Sequence, residues 1–329
     1  MRMPAETSPH ERTIMGWPCR PELWKGRISE GRLAYAEVVR AIARFEPVTL
    51  LARERDIDQA SDLAGAPNVE IVAYPLDDSW LRDTGPIYLT GHDGRVATDW
   101  IFNGWGGKYE PHDHDDAIPA FLTQRWGQQR TRLDMVLEGG SIAVDGVGTL
   151  VTTEQCLLHP NRNPGLTRTE IEHRLKAGLG VDVVIWLPFG VDDRDTDGHV
   201  DLVTACARPG LWIFQGCDDR DDPEHIRLDM SRRALAGSTD AAGNVIEVVE
   251  LPVLPYVELD GERLAVPYLN YYACNGALVV PVTGHAADDE SLALLAAAHP
   301  DREIVPVDGR WIAFGGGGPH CITQQVPVG

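Results

Sequence analysis

Disulfide spacing, a membrane span and a basic face are all missing from this sequence. Its six cysteines (Cys19, Cys156, Cys206, Cys217, Cys274 and Cys321) stand far apart, with no paired pattern. No charged stretch followed by an apolar core opens the chain, so the cysteines read as reduced thiols and a cytoplasmic setting is expected. The longest apolar runs, such as 276–282, fall far short of the roughly 20 residues that cross a bilayer, and no membrane partner is expected. Cations are scarce: 29 Lys and Arg face 50 Asp and Glu, for a net charge of −21. Such an excess repels phosphates, which argues against nucleic acid and anionic lipid and suits a cationic small molecule. An acidic surface also serves solubility by itself. No low-complexity linker divides the 329 residues, so the chain reads as one domain, 1–329. A homo-oligomer is compatible with it.

What the sequence does contain is a regular alternation. Leu33, Ala36, Val39 and Ile42 recur every three positions and, with Tyr35 and Val38, predict a helix over about 29–45. Further helices are expected near 56–63, 117–126, 167–176, 223–235 and 288–298. Strands are expected at 48–51, 69–74, 211–214, 245–251, 278–282 and 303–307. Alternation this dense predicts an α/β fold carrying a weak internal repeat. The opening residues up to Trp17-Pro18 show no period of either kind.

Five loops break the pattern and hold the side chains of chemical interest. Near the C-terminus, Trp311-Ile312-Ala313-Phe314 reads as the end of a buried strand that leads into Gly315-Gly316-Gly317-Gly318-Pro319-His320-Cys321. Glycines let the backbone approach a ligand closely, and Cys321 follows where a rigid element gives way to a loop. The residue types alone leave a reactive thiol and a buried packing residue both open, whereas the other five cysteines read as packing residues. Asp83 lies between Arg82 and Gly85-Pro86, as a site carboxylate or a turn aspartate. Glu138 ends a β-like run before Gly139-Gly140-Ser141. If Val200 begins a strand, His199 and Asp201 point to the same face. Asp193, Asp195, Asp197 and Gly198 also fit the first half of a calcium loop, but its twelfth position is Thr204 in place of a bidentate Glu. The second metal-like cluster, His112-Asp113-His114-Asp115-Asp116, lacks a third ligand at helical spacing and reads as a solvated loop. Trp80 and Trp105 stand in candidate site loops, where a tryptophan stacks on a flat cation or packs in the core.

One thiol, one imidazole and three carboxylates suit a guanidinium. Carboxylates match its N–H fork, a thiolate is a strong enough nucleophile for its resonance-stabilised carbon, and a histidine can protonate the departing amine.

Taken together, 80–86, 102–109, 138–141, 195–201 and 315–325, with Thr152-Thr153-Glu154-Gln155-Cys156-Leu157-Leu158 and Asn161-Arg162-Asn163-Pro164, resemble the agmatine deiminase family in order and kind. That family includes the bacterial type of peptidylarginine deiminase. The resemblance runs from Met3-Pro4-Ala5-Glu6 to Gln324-Gln325. It implies the pentein fold, a five-bladed α/β propeller with its active site on the axis. It also implies hydrolysis of a guanidine to a ureido group and ammonia, without metal or organic cofactor. By resemblance Cys321 matches the nucleophile and His199 the general acid–base. Asp83 and Asp201 match the guanidinium-binding carboxylates, and Glu138 the acidic partner near substrate and histidine. Agmatine is the expected substrate and N-carbamoylputrescine the expected product, a step towards putrescine and the polyamines. Arginine or peptidylarginine deimination and amidine transfer are the alternatives on this scaffold, and a metal-dependent binding protein is the alternative of another class. Two departures bear on the substrate's far end: Gly318-Pro319, where the family usually carries Asn and a branched apolar residue, and a short 252–267 segment.

Overall fold

The computed structural model describes residues 1–92, 94–193 and 195–329. Among them one unit recurs five times. Two antiparallel strands are followed by a helical segment and a third strand that returns parallel to the second. A parallel return needs a crossover, and the helix supplies it. Four units follow in chain order. They are Ile87–Gly91, Gly94–Ile101 and Arg130–Val136; Ile142–Val144, Thr149–Thr153 and Val183–Leu187; Thr204–Arg208, Leu211–Gln215 and Glu247–Leu251; and Tyr272–Cys274, Ala277–Val282 and Glu303–Asp308. The fifth is assembled from both ends of the chain. Thr323–Pro327 pairs antiparallel with His10–Gly16, which runs parallel to Val48–Ala52, and Val69–Ala73 extends that sheet. A separate hairpin, Tyr256–Leu259 with Glu262–Ala265, packs beside these sheets.

The expected α/β alternation is present, and the recurring unit accounts for its repeat. Helices Ile28–Ile42, Ile57–Ala64, Ile118–Trp126, Arg168–Leu179, Pro223–Ala236 and Asp288–Ala298 lie where the apolar periods place them. One element was unforeseen and two local expectations fail. The opening residues contain the strand His10–Gly16, whose Thr13, Ile14 and Met15 are all inaccessible. A strand between two neighbours, covered on both faces, need not alternate, so it leaves no period to read. Residues 311–314 are helical, within Arg310–Gly315, and not the end of a strand. A four-residue apolar run has no period of its own, and Gly316, at φ 113°, stops this helix in a conformation open to glycine. Val200 begins a tight single turn over Val200–Leu202, and the strand starts only at Thr204. Among the described residues no helix is long and apolar enough to cross a membrane.

Trp24 ties the first helix to the segment that leads to Cys321. Its inaccessible ring lies edge-on to Tyr35 at 5.9 Å. The ring also fills the space in front of two glycines: a Cβ on Gly31 would come within 2.4 Å of it, and one on Gly315 within 2.6 Å. Trp24→Ala is expected to lower unfolding free energy by about 3–5 kcal/mol, because neighbours on two helices cannot both collapse into the void. Chemical denaturation measures it.

Candidate active site

Every unit brings its reactive side chains to the same place, the stretch just before its first strand. Asp83 precedes Ile87–Gly91, Glu138 and Gly140 precede Ile142–Val144, and His199 and Asp201 precede Thr204–Arg208. Asn270 precedes Tyr272–Cys274, and Cys321 precedes Thr323–Pro327. Equivalent positions in five units converge, so residues more than 200 apart in sequence become neighbours.

Gly140 marks the point of closest approach. A Cβ built there would lie 2.5 Å from Nδ1 of His199, 2.9 Å from Oδ1 of Asp83 and 3.1 Å from Oδ2 of Asp201. The same absence of side chains shapes the Cys321 loop. A Cβ on Gly317 would meet Trp80 at 2.7 Å and the Cys321 sulfur at 3.0 Å, and one on Gly318 would meet Oδ1 of Asn270 at 2.5 Å. In this chain the Gly318 departure therefore makes room for Asn270.

Each carboxylate is held differently. Asp83 accepts the backbone N–H of Gly140 on Oδ1 at 2.9 Å and the indole N–H of Trp105 on Oδ2 at 2.9 Å. To reach it, Trp105 sits at φ 53°, a left-handed conformation that a non-glycine residue holds at a cost of about 1–3 kcal/mol. On Asp201, Oδ2 takes three neighbours: Nδ1 of His320 at 2.9 Å, Nδ2 of Asn270 at 3.2 Å and the thiol of Cys321 at 3.3 Å. Among the described residues Oδ1 of Asp201 is buried with no partner. Glu138 lies deeper and does not reach the cleft. Its Oε1 accepts Nε of Arg162 at 2.5 Å, both side chains being wholly inaccessible, and its Oε2 has no partner among the described residues.

These surroundings separate the protonation equilibria. Burial pushes the Cys321 thiol well above its usual range, and the negative charges of Asp201 and Asp83 push it further. Burial also raises Asp83, with Asp201 and Glu138 adding to it and His199 opposing. Asp201 goes the other way: burial would raise it, but the hydrogen bond and charge of His320, with His199 and Cys321, hold it below the ordinary carboxylate range. Burial would lower His199, yet Asp83, Cys156 and Glu138 raise it to about 10, which makes it an imidazolium near neutrality. Its Nδ1 lies 3.8 Å from Oδ1 of Asp83.

Asp83, Trp80, Trp105 and Cys321 face a narrow cleft of about 340 Å³ including its mouth, with Leu23, Asp78, Tyr109, Asp195 and Thr196 on its walls. The two tryptophans thus stand where sequence reasoning expected them, although the Trp105 edge is committed to Asp83. Several residues that support the site escaped that reasoning. Nε2 of His320 lies 2.9 Å from both oxygens of Glu6, which in turn accepts Nη1 of Arg82 at 3.1 Å. Asn270 was passed over, and Arg162 entered only as part of the 161–164 stretch with no role; an arginine or asparagine in a loop gives no sign in sequence that it will be buried. Cys156, expected only to pack, lies against the imidazole of His199.

The metal-like clusters have other uses. Oδ1 and Oδ2 of Asp115 accept the backbone N–H groups of Asp77 and Asp78 at 2.9 and 2.8 Å. Asp115 is therefore a buried clamp on the approach to Trp80, while Asp113 and His114 are exposed as expected, on a helical turn and not a loop. In the calcium-like segment, Asp193 accepts N–H groups of Asp195 and Thr196 within its own loop. Asp195 accepts the Tyr109 hydroxyl, and Asp197 binds Lys108, Asn161 and Arg162. Each aspartate serves a different partner.

Gly140→Ala tests the packing directly. The added methyl group displaces the imidazole or the two aspartates by several tenths of an ångström or more. We expect a fall in kcat of about 100-fold, the scale of a 1 Å misplacement, with the thermal midpoint changed far less. Steady-state kinetics beside a melting curve measure both.

Residues 2–327 match the family model described as Porphyromonas-type peptidyl-arginine deiminase. The chain is 42% identical to the agmatine deiminase of Pseudomonas aeruginosa (strain UCBPP-PA14), covering 99% of this chain and 95% of that one. Among solved structures it superposes on the agmatine deiminase of Enterococcus faecalis with a TM-score of 0.96 at 32% identity, over 99% of this chain and 96% of the other. An agmatine deiminase of C. jejuni with substrate bound gives 0.91 at 29% identity, over 100% and 96%. A DDAH of Pseudomonas aeruginosa, at 14% identity and a TM-score of 0.55, shares the fold alone. By fold the protein is a pentein, and the chain belongs to the Porphyromonas-type peptidyl-arginine deiminase family.

Proposed function

We propose that this chain is an agmatine deiminase, converting agmatine and water to N-carbamoylputrescine and ammonia. The observation that carries it is Asp201: Oδ2 is committed to the protein, the Cys321 thiol included, whereas Oδ1 of this charged group is buried and, among the described residues, unpartnered. A guanidinium N–H answers that vacancy, and its second edge meets Asp83, each charge-assisted contact contributing about 1.5–3 kcal/mol. We further read the five units as the blades of a five-bladed propeller within one domain, 1–329, with the site on its axis. The recurrence of the site residues just before each unit's first strand supports this.

In this reading the empty site holds a thiol. The incoming cation offsets the carboxylate charges that raise the Cys321 pKa, so the thiolate forms with substrate in place and its proton leaves past Asp201. Sulfur attacks the guanidinium carbon. His199, already an imidazolium, protonates the nitrogen that departs as ammonia, leaving a thiouronium on Cys321. The now neutral imidazole takes a proton from water, the hydroxide adds to the same carbon, and collapse expels the sulfur, which takes the hydroxyl proton and returns as the Cys321 thiol with the ureido product. Glu138, anchored by Arg162, steadies the charge that cycles on His199 from behind.

The far end of the cleft favours an amine over a carboxylate. Asp78 and Asp195 stand on its walls. The cations considered from sequence are already engaged: Arg82 is buried against Glu6, and Lys108 binds the Asp195 carbonyl and Asp197. An arginine carboxylate would meet negative charge there, which is selection by repulsion. The test is ammonia release from agmatine, arginine, 4-guanidinobutyrate and a peptidyl arginine, compared as kcat/KM. Agmatine should lead and Cys321→Ser should release nothing; arginine or the peptide leading would refute the substrate while leaving the chemistry. Alkylation probes the substrate's charge separately. A cationic haloacetamidine should inactivate about 10- to 100-fold faster than the neutral haloacetamide at neutral pH, because only the cation compensates Asp83 and Asp201. Equal rates would mean that Cys321 is a thiolate before substrate arrives.

A further inference from the structure

Around the His199 imidazole lies a group that the proposed reaction does not fully use. One donor atom each from Glu138, Cys156 and His199 lie within 4.8 Å of one another, all three residues buried; among the described residues it is the only such trio of potential metal ligands. Two of their atoms, Oε2 of Glu138 and Nε2 of His199, are buried with no hydrogen-bond partner among the described residues. Buried polar atoms are normally satisfied, so an orphan on each of two members of the trio marks unmet bonding capacity there.

We propose that Glu138, Cys156 and His199 form an inhibitory binding site for a thiophilic divalent cation of the zinc type. Carboxylate, thiolate and imidazole together are a zinc set rather than a calcium or magnesium one. Zinc places such donors about 3.3–3.8 Å apart from bond lengths of about 2.0–2.3 Å, so modest side-chain rotations close the trio. Three protein ligands leave a fourth position for water. The rest of the environment fits. Metal-bound histidines donate their other N–H to a carboxylate, and beyond Nδ1 of His199 stands Asp83 at 3.8 Å. Glu138 keeps Oε1 on Arg162 while Oε2 is open, so the ion pair need not break. Binding expels one proton from the thiol and one from the imidazolium as two positive charges enter, which leaves the net charge beside Arg162 unaltered. Cation binding stands on geometry alone. The inhibition rests on the role proposed for His199, since an imidazole bound through Nε2 stays uncharged and drops out of proton exchange.

The experiment is zinc titration of the full-length protein against a chromogenic chelator, with cobalt substitution read by absorption. Wild type and Cys321→Ser should each bind one equivalent tightly and show a thiolate-to-cobalt charge-transfer band. Cys156→Ala and Cys156→Ser should lose that band and bind at least about 100-fold more weakly. Glu138→Gln should weaken binding while keeping the band, which serves if the cysteine variants fold poorly. Zinc should suppress ammonia release from agmatine by wild type, and chelator should restore it. Absence of a tight equivalent, or binding that follows Cys321 rather than Cys156, overturns the site. Tight binding without loss of turnover overturns the inhibitory role alone.

Discussion

One oxygen atom, Oδ2 of Asp201, is where the constraints of this molecule meet. His320, Asn270 and Cys321 all reach it, from the approach segments of two other units. Its position sets the other oxygen, which is left buried and open, and it sets the sulfur 3.3 Å away. A carboxylate without this support would protonate on burial. His320 prevents that, and His320 is held in turn by Glu6, whose carboxyl stays at about 2 because the pull of His320 and Arg82 outweighs its burial. Residues near the N-terminus thus stabilise a charge beside the C-terminal cysteine. Pairing of His10–Gly16 with Thr323–Pro327 brings both ends of the chain to the same place.

The recurring unit explains how so many polar groups converge without unravelling a core. Each unit buries its own apolar faces between sheet and helix, and only the short stretch before its first strand is spent on the site. Strain and close packing are concentrated there: the left-handed Trp105, the glycine contacts at Gly140, Gly317 and Gly318, and the paired charges of Arg162 and Glu138. Removing one partner from a buried ion pair leaves an uncompensated charge, so these residues stand or fall together.

Charge also decides the order of events in the proposed reaction. An acidic cleft is a poor place for a thiolate until a cation enters it. The same carboxylates that bind a guanidinium therefore keep Cys321 protonated in its absence, which shields the nucleophile from other electrophiles. Glu138 and Cys156 present a further set of donors within reach of the same imidazole that meets Asp83.

Much was legible in the chain itself. The helical periods over 29–45 and 288–298, the α/β alternation, and the loops holding Asp83, Glu138, His199, Asp201 and Cys321 are local properties, and glycine beside a reactive residue is a local sign. Their resemblance to a family carried the chemistry. What lay beyond reach is of another kind. Burial on both faces hid the strand His10–Gly16, because a covered strand has no alternation. Arg162, Asn270, His320 and Glu6 look like any loop residues until the fold encloses them. Cys156 became a neighbour of His199 through the packing of two units. The sequence by itself determined which chemical groups are available and which segments are rigid. Only the tertiary structure decided which groups share a proton, which oxygen is left unpartnered and how far each pKa moves, because burial and pairing between distant segments are properties of the assembled fold.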